Sequence, residues 1–372
     1  MSTSIDVIIP SFRLIPETLL PILKLQKPAN ATIHFYLIAD NPDIVIDISI
    51  QNLVDNQTVT LLINKENMGA SATRNRGIEA GHGDWILFLD DDIKVAPDIL
   101  LTYAQAAIKY PDETGFIGLV DMPPPPTSFA KAVDADGSMS IFGAARNNES
   151  YPWGATANIM IKRSAVGDVR FSSAYPKKGG GEEVDFFLRV RQLNGSKNYK
   201  CLPAAQVEHP WWKNGQTDYT RFYRLGIGNS HLAERNPQYK LYDFLNTSEM
   251  LLITVLTAFA ALAVNHNFII YIMYFALITI ITEYIVNIVR LHRKVRKIEL
   301  VTAFNVMLIR NTCEFGILAG NMFRFRLTGI GERFNYDGTI AKSKIFRLNR
   351  YKIIKLIIYT TAIILVRYFK AV

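Results

Sequence analysis

"GDWILFLDDDIKVAP", residues 83–97, sets the reading of the whole chain. The apolar run from Trp85 to Leu89 reads as a buried strand. It breaks off in three adjacent acids, Asp90, Asp91 and Asp92. Three neighbouring carboxylates repel one another, so a strand that delivers them together needs something positive at its end.

The flanking sequence supplies the rest of a sheet. "DVIIPSF" (6–12) reads as a strand stopped by Pro10, "ATIHFYLIAD" (31–40) as a second ending in Asp40, and "TVTLLIN" (58–64) as a third. "GASATRNRGIEAG" (69–81) is a helix with small residues on one side, ended by Gly81. "APDILLTYAQAAIKY" (96–110) is an amphipathic helix with Pro97 in its first turn. Strands alternating with helices predict an α/β domain with a mostly parallel sheet. Residues 121–153, with a four-proline run, predict an ordered loop of the kind that shapes a binding site. "ATANIMIK" (155–162) is a further buried strand, and the glycine-rich "KKGGGEE" (177–183) leads into a helix, "EVDFFLRVRQLNG" (183–195).

The 372 residues suggest two units, and 49% hydrophobic content with a mean hydropathy of +0.11 points to a membrane part. "SEMLLITVLTAFAALAV" (248–264) and "FIIYIMYFALITIITEYIVNIV" (268–289), separated by "NHN", predict a helical hairpin. The second run is long enough to span a bilayer and the first is marginal. Glu283 inside the second run is costly there, and either serves a function or reaches the headgroups. "IELVTAFNVMLIRNTCEFGILAGNMFRF" (298–325) reads as an amphipathic interfacial or re-entrant helix, and 353–369 as a third apolar segment that either spans or lies flat. The expected organisation is a first domain over residues 1–240 and a membrane region over 241–372.

The formal charge of +8 is unevenly spread: residues 290–372 hold 17 Lys and Arg against 4 Asp and Glu, leaving the remainder acidic. Basic residues interleaved with apolar runs fit the cytoplasmic face of an anionic bilayer. Nucleic-acid binding, the other usual partner of a basic chain, does not fit an acidic first domain. "RLHRKVRK" (290–297) is therefore expected in the cytoplasm. So is the first domain, whose opening "IDVIIP" lacks the basic leader of a signal peptide. Cys201 and Cys313 form neither a disulfide framework nor a metal cluster.

Ligands of open α/β sheets bind at strand ends. A divalent cation, Mg2+ or Mn2+, is the natural counter-charge for acids there, since both favour oxygen ligands and substrate phosphates. In an extended segment Asp90 and Asp92 share a face while Asp91 points away. Asp92, with or without Asp90, is then the expected metal ligand on a diphosphate. The plain alternative is an acidic turn capping the next helix. A Walker-type site is excluded because the chain has no G-x-x-x-x-G-K-[ST] loop.

"VIIPSFR", "LIAD", "NMGASATRNRGIEAGHGDWILFLDDDI", "GATANIMIKRSAV" and "GGGEEVDFFLR" stand in the order found in family 2 glycosyltransferases, which the chain resembles over about residues 5–235. The resemblance implies a GT-A fold binding a nucleoside-diphosphate sugar. By position it puts Pro10, Phe12 and Asp40 at the nucleoside and Asn67, Gly69 and Arg74 near the ribose and diphosphate, with Arg13 and Asp91 as further substrate-binding residues. Asp90 and Asp92 fall at the metal. Glu183 stands where the family usually has an aspartate base, with Glu182 and Asp185 as neighbouring acids. His209 in "VEHPWW" is either a structural histidine or faces the metal. Arg221 and Arg224 in "YTRFYRLGIG" either close over the diphosphate or dock the domain on the bilayer. Trp153, Trp211, Trp212 and the prolines at 123–126 line either an acceptor groove or the bilayer interface. The implied activity is inverting, metal-dependent transfer of one sugar to a membrane-associated, lipid-linked acceptor. A polysaccharide synthase and a non-catalytic sugar-nucleotide binder are the competing classes.

Overall fold

A computed structural model of the protein describes residues 3–264, 269–293, 299–340, 345–346 and 348–371. In chain order the strands are β1 (Thr3–Ser11), β2 (Ala31–Ala39), β3 (Val59–Ile63), β4 (Trp85–Leu89), β5 (Lys94–Val95), β6 (Gly115–Asp121), β7 (Ser150–Tyr151), β8 (Asn158–Lys162), β9 (Tyr199–Glu208), β10 (Lys240–Tyr242) and β11 (Glu332–Phe334). The helices are α1 (Pro16–Leu23), α2 (Ile48–Gln51), α3 (Ala70–Ala80), α4 (Ile99–Lys109), α5 (Ser128–Asp136), α6 (Ala144–Asn147), α7 (Arg163–Val166) and α8 (Glu182–Leu193). They continue with α9 (Tyr219–Arg235), α10 (Thr247–Val264), α11 (Ile269–Leu291), α12 (Leu300–Met322) and α13 (Arg350–Ala371). The chain divides into two compact units, one of residues 1–125, 139–214 and 336–338, the other of 126–138, 215–335 and 339–372.

The first unit is built on a nine-stranded sheet in the order β3-β2-β1-β4-β8-β6-β9-β5, with β7 beside β9. The expected parallel sheet occupies one half, where β3, β2, β1 and β4 run together. Beyond β4 the sheet is mixed: β8 runs antiparallel to both β4 and β6, and β6 returns parallel to β9. β6 and β9 are not among the strands expected from the sequence: β6, GFIGLVD, is a short apolar run holding two glycines, and β9 is interrupted by polar residues. β1 and β4 are buried on both faces, which is why their sequences read as unbroken apolar runs. Asp6, the exception on β1, is satisfied by the Gly83 amide at 2.7 Å and Arg163 at 2.6 Å.

An aromatic cluster fixes α8 on the sheet. Phe88 of β4 meets Phe171, Phe186 and Phe187 edge-on, and Phe171 stacks on Phe186 at 3.9 Å between centroids. This packing sets the start of α8, and with it Glu182 and Glu183. The preceding Gly179, Gly180 and Gly181 all take positive φ, from 82° to 147°, which side chains with a Cβ rarely adopt. The three-glycine run is thus a conformational requirement of the approach to α8.

The second unit is helical, with α5, α9 to α13 and the short antiparallel β10–β11 ribbon. α9 and α12 touch through their backbones: a Cβ on Gly226 would lie 2.1 Å from the Cys313 carbonyl oxygen, and one on Gly316 2.1 Å from that of Tyr223. Gly316→Val should therefore push the two helices apart and destabilise the protein by about 1–3 kcal/mol or more. The check is thermal melting of the purified protein, with an unchanged midpoint as the contrary result.

The expected hairpin helices are α10 and α11, both long and apolar enough to cross a membrane and largely unburied within the unit. The 298–325 segment forms α12, with Leu300, Val301, Phe304 and Phe315 exposed and Val306, Met307 and Ile309 buried. The third apolar segment is a helix as well, α13, with Ile353, Leu356 and Ile357 exposed. Glu283 pairs with Lys355 and accepts from Asn287 and Thr247, so its charge is met inside the protein. The loop "NHN" and positions 294–297 of the basic run lie outside the described residues.

Candidate active site

The C-terminal ends of β1, β2 and β4 are brought level by their shared register, in which Pro10 pairs with Ile38 and Ile8 with Phe88. Ser11 to Arg13, Asp40 and Asp90 to Asp92 therefore leave the sheet at one edge, and His209 follows the end of β9. Asp90, Asp92 and His209 gather there, each offering a ligand atom within 4.8 Å of the others. His209 Nε2 lies 3.6 Å from Asp92 Oδ1 and 4.0 Å from Asp90 Oδ2.

The ring orientation is informative. His209 is buried between Phe142 and Trp212, and its Nδ1 sits 2.7 Å from the Pro210 carbonyl oxygen. A carbonyl only accepts, so Nδ1 carries a proton and donates it there. Nε2 then either holds a second proton toward the carboxylates or turns a lone pair on them. Two carboxylates and a lone pair converging on one point repel unless a cation lies between. A histidine whose other nitrogen donates to a backbone carbonyl is also the usual form of a metal-ligating imidazole. The residues present fit a hard divalent ion.

The charges are under strain in other ways. Asp92 has its pKa raised by burial, with Asp90 adding to the shift and His209 opposing it. Asp91 is pushed up to about 6, first by burial, while a hydrogen bond from Ser11 Oγ at 2.5 Å holds it down. Asp91 therefore faces β1, opposite to its neighbours, as the strand alternation predicts. Arg13 is exposed and reaches to 4.0 Å from Asp92.

Glu183 lies in the first turn of α8 and is partly exposed. Its surroundings still desolvate it enough to raise its pKa to about 7, and the charges of Glu182 and Asp90 push the same way. Thr156 holds it from below: both the backbone amide (3.1 Å) and Oγ1 (3.2 Å) donate to Glu183 Oε2. Thr156 was missed from sequence, although it stands in the quoted "GATAN" segment just before β8. Thr156→Val removes one of two donors to the charged form, so the Glu183 pKa rises further. Any activity that needs the carboxylate should fall by about tenfold at neutral pH, the effect of one charge-assisted hydrogen bond. Its acid limb should shift to higher pH, which a rate profile from pH 5.5 to 9 reads directly.

Arg74 is buried and turned toward acids: it lies 3.3 Å from Asp90 Oδ1 and 3.4 Å from Glu182 Oε1, with its guanidinium over the Phe171 ring. Glu182 is buried too and accepts from the Gly180 amide at 2.6 Å, so it braces the glycine loop. Asp40 accepts from the amides of Met68 and Gly69 and from Asn64, each at 2.8 Å, and so holds the loop that carries Asn67 and Gly69. The Asn67 carbonyl accepts from Lys177 at 3.0 Å. Pro10 is within β1 and Phe12 is 50% exposed at the sheet edge.

The structure does not bring Asp185 into this group: it is fully buried and pairs with Arg189 one turn along α8. Arg221 and Arg224 belong to α9 of the second unit. Trp153 and Trp211 are buried and donate their indole N–H groups to the carbonyls of Tyr336 and Pro123, so they are packing residues more than groove walls.

A mixed α/β sheet thus delivers Asp-x-Asp and a facing histidine to one edge, with a carboxylate of raised pKa near them. Residues 6–170 match the model of glycosyl transferase family 2, a match that supports a glycosyltransferase domain there. An uncharacterized glycosyltransferase of Haemophilus influenzae is 34% identical over 98 residues, which are 25% of this chain and 31% of that protein. The chain thus matches about a third of the length of this curated relative. Among solved structures, the mannosyltransferase PcManGT of Pyrobaculum calidifontis, with GDP-Man and Mn2+, is 14% identical at a TM-score of 0.49, over 87% of this chain and 88% of its own. GalNAc-T7 with UDP, GalNAc and Mn2+ is 15% identical at 0.44, over 64% and 51%.

Proposed function

We propose that the protein transfers a single sugar, with inversion, from a nucleoside-diphosphate sugar to a lipid-linked acceptor at a membrane. The convergence of Asp90, Asp92 and His209 within 4.8 Å is the observation that carries this reading. A divalent ion held by these three side chains would act as a Lewis acid on the leaving diphosphate. Arg74 keeps Asp90 in place from behind. Glu183, with Oε2 held by Thr156, offers Oε1 to take the acceptor hydroxyl's proton as that oxygen attacks the anomeric carbon. A pKa of about 7 suits a base that must be free near neutrality yet still basic enough to accept. Asp40 and the loop it organises, with Phe12 and Arg13 at the sheet edge, form the donor's nucleoside side. The first unit would work in the cytoplasm. α10 and α11, as membrane spans, would keep it beside its acceptor and raise the acceptor's effective concentration.

Release of nucleoside diphosphate from a panel of nucleotide sugars tests this in one experiment. Turnover is expected with Mn2+ or Mg2+, and should fall to background in EDTA and return on adding excess metal. Turnover that ignores EDTA would remove the metal from the mechanism. No turnover of any donor, with donor binding retained, would leave a sugar-nucleotide binder.

A further inference from the structure

In the second unit Arg290 and Arg293 converge on one aromatic ring: their Cζ atoms lie 4.8 Å and 5.7 Å from the Tyr351 centroid. Arg290 lies in the last turn of α11, a helix long and apolar enough to cross a membrane. Tyr351 stands in the first turn of α13, where Asn349 caps the helix by accepting from the Tyr351 and Lys352 amides. The positive end of that helix dipole therefore lies at the same place. Other cations of this unit are matched by acids: Arg333 with Glu249, Lys352 with Asp243, Lys355 with Glu283. Among the described residues no acid pairs with Arg290 or Arg293.

Two guanidiniums held on one ring repel each other, and the ring face offsets only part of that repulsion. The partner that resolves it is an anion able to take planar, paired N–H donors from both, which is the geometry of phosphate. Away from the pair, the two helices that carry it expose apolar side chains: Ile281 and Ile285 on α11, and Ile353, Leu356 and Ile357 on α13. A ligand joining a phosphate to hydrocarbon matches both. We propose that Arg290 and Arg293, held on the Tyr351 ring, bind the phosphate of an anionic membrane lipid, whose chains lie along the exposed faces of α11 and α13. This rests on the reading of α11 as a membrane span.

The test uses the full chain. Carbonate extraction of membranes first reads anchorage: the wild type should stay in the pellet. The detergent-purified protein is then titrated with phosphatidylglycerol, phosphatidylcholine or inorganic phosphate, read by retained lipid in native mass spectrometry and by thermal shift. Phosphatidylglycerol should be retained and should raise the melting temperature, with phosphatidylcholine having little effect. Arg290→Gln/Arg293→Gln should cut phosphatidylglycerol retention at least tenfold. Tyr351→Phe should keep it, and a charge-matched control on the first unit, Lys24→Gln/Lys27→Gln, should leave it unchanged. Retention unaltered in the double arginine variant would overturn the site while leaving anchorage intact. A shift reproduced in full by inorganic phosphate, with phosphatidylglycerol adding nothing, would overturn the lipid as its ligand. Release of the wild type by carbonate would defeat the membrane reading itself, and the lipid site with it.

Discussion

Asp92→Asn will leave the protein folded and reduce nucleotide-sugar turnover by about 10³-fold or more, the scale of losing a charge that supports a metal at a leaving group. Both halves of the expectation come from the same electrostatics. The Asp92 carboxylate is disfavoured where it stands, raised in pKa by burial and by Asp90. A carboxylate whose folded pKa is raised costs stability above its unfolded pKa, so at pH 7 the wild type bears a penalty that the asparagine lacks. The variant should melt at the same temperature or higher. What it loses is one of three convergent donors, and with it affinity for the ion. Mn2+ titration followed by electron paramagnetic resonance should show binding weakened alongside turnover. If the variant turns over within tenfold of wild type, Asp92 is not a ligand. If turnover falls with Mn2+ affinity unchanged, the acid acts on the substrate directly.

The parallel half of the sheet was legible because strands buried on both faces carry nearly continuous apolar runs, as β4 does throughout and β1 does apart from Asp6 and its ends. β9 was not, because residues such as Lys200, Pro203 and Gln206 interrupt it on the exposed side and only the register with β6 reveals it. The acids of the site were legible for the same reason they are strained: Asp90, Asp91 and Asp92 have no business at the end of a buried strand without a counter-charge. Their partners were harder. His209 enters from the far end of β9, more than a hundred residues on, and Thr156 offers an ordinary hydroxyl and a backbone amide that no spacing marks out. The fold also supplies acids and bases with partners of its own. Arg74, expected at the diphosphate, is engaged with Asp90 and Glu182, and Asp185 is spent on Arg189. A sequence shows which residue types reach an edge, but which atoms they face depends on tertiary packing.

Glu183→Gln is the second large effect, and it separates the base from the metal. It should lower transfer by about 10²–10⁴-fold, the usual contribution of a general base, while Mn2+ affinity stays near that of wild type. Burial and the charge of Glu182 raise the Glu183 pKa to about 7, so the wild-type rate should climb with pH through that value as the carboxylate becomes free. The glutamine variant should lose that limb and show a flat residual rate. Stability moves the other way. Ionising Glu183 in the folded protein is disfavoured, so its cost is absent below its unfolded pKa, grows as pH rises toward about 7, and is complete above it. The variant, which keeps an acceptor for the two Thr156 donors but carries no charge, should therefore gain melting temperature over wild type at pH 8 and match it near pH 4.5. Loss of activity joined to that pattern would identify Glu183 as a carboxylate kept strained for proton transfer. Full activity in the variant would hand the proton to another group, with Glu182, the neighbouring acid on α8, the first to examine.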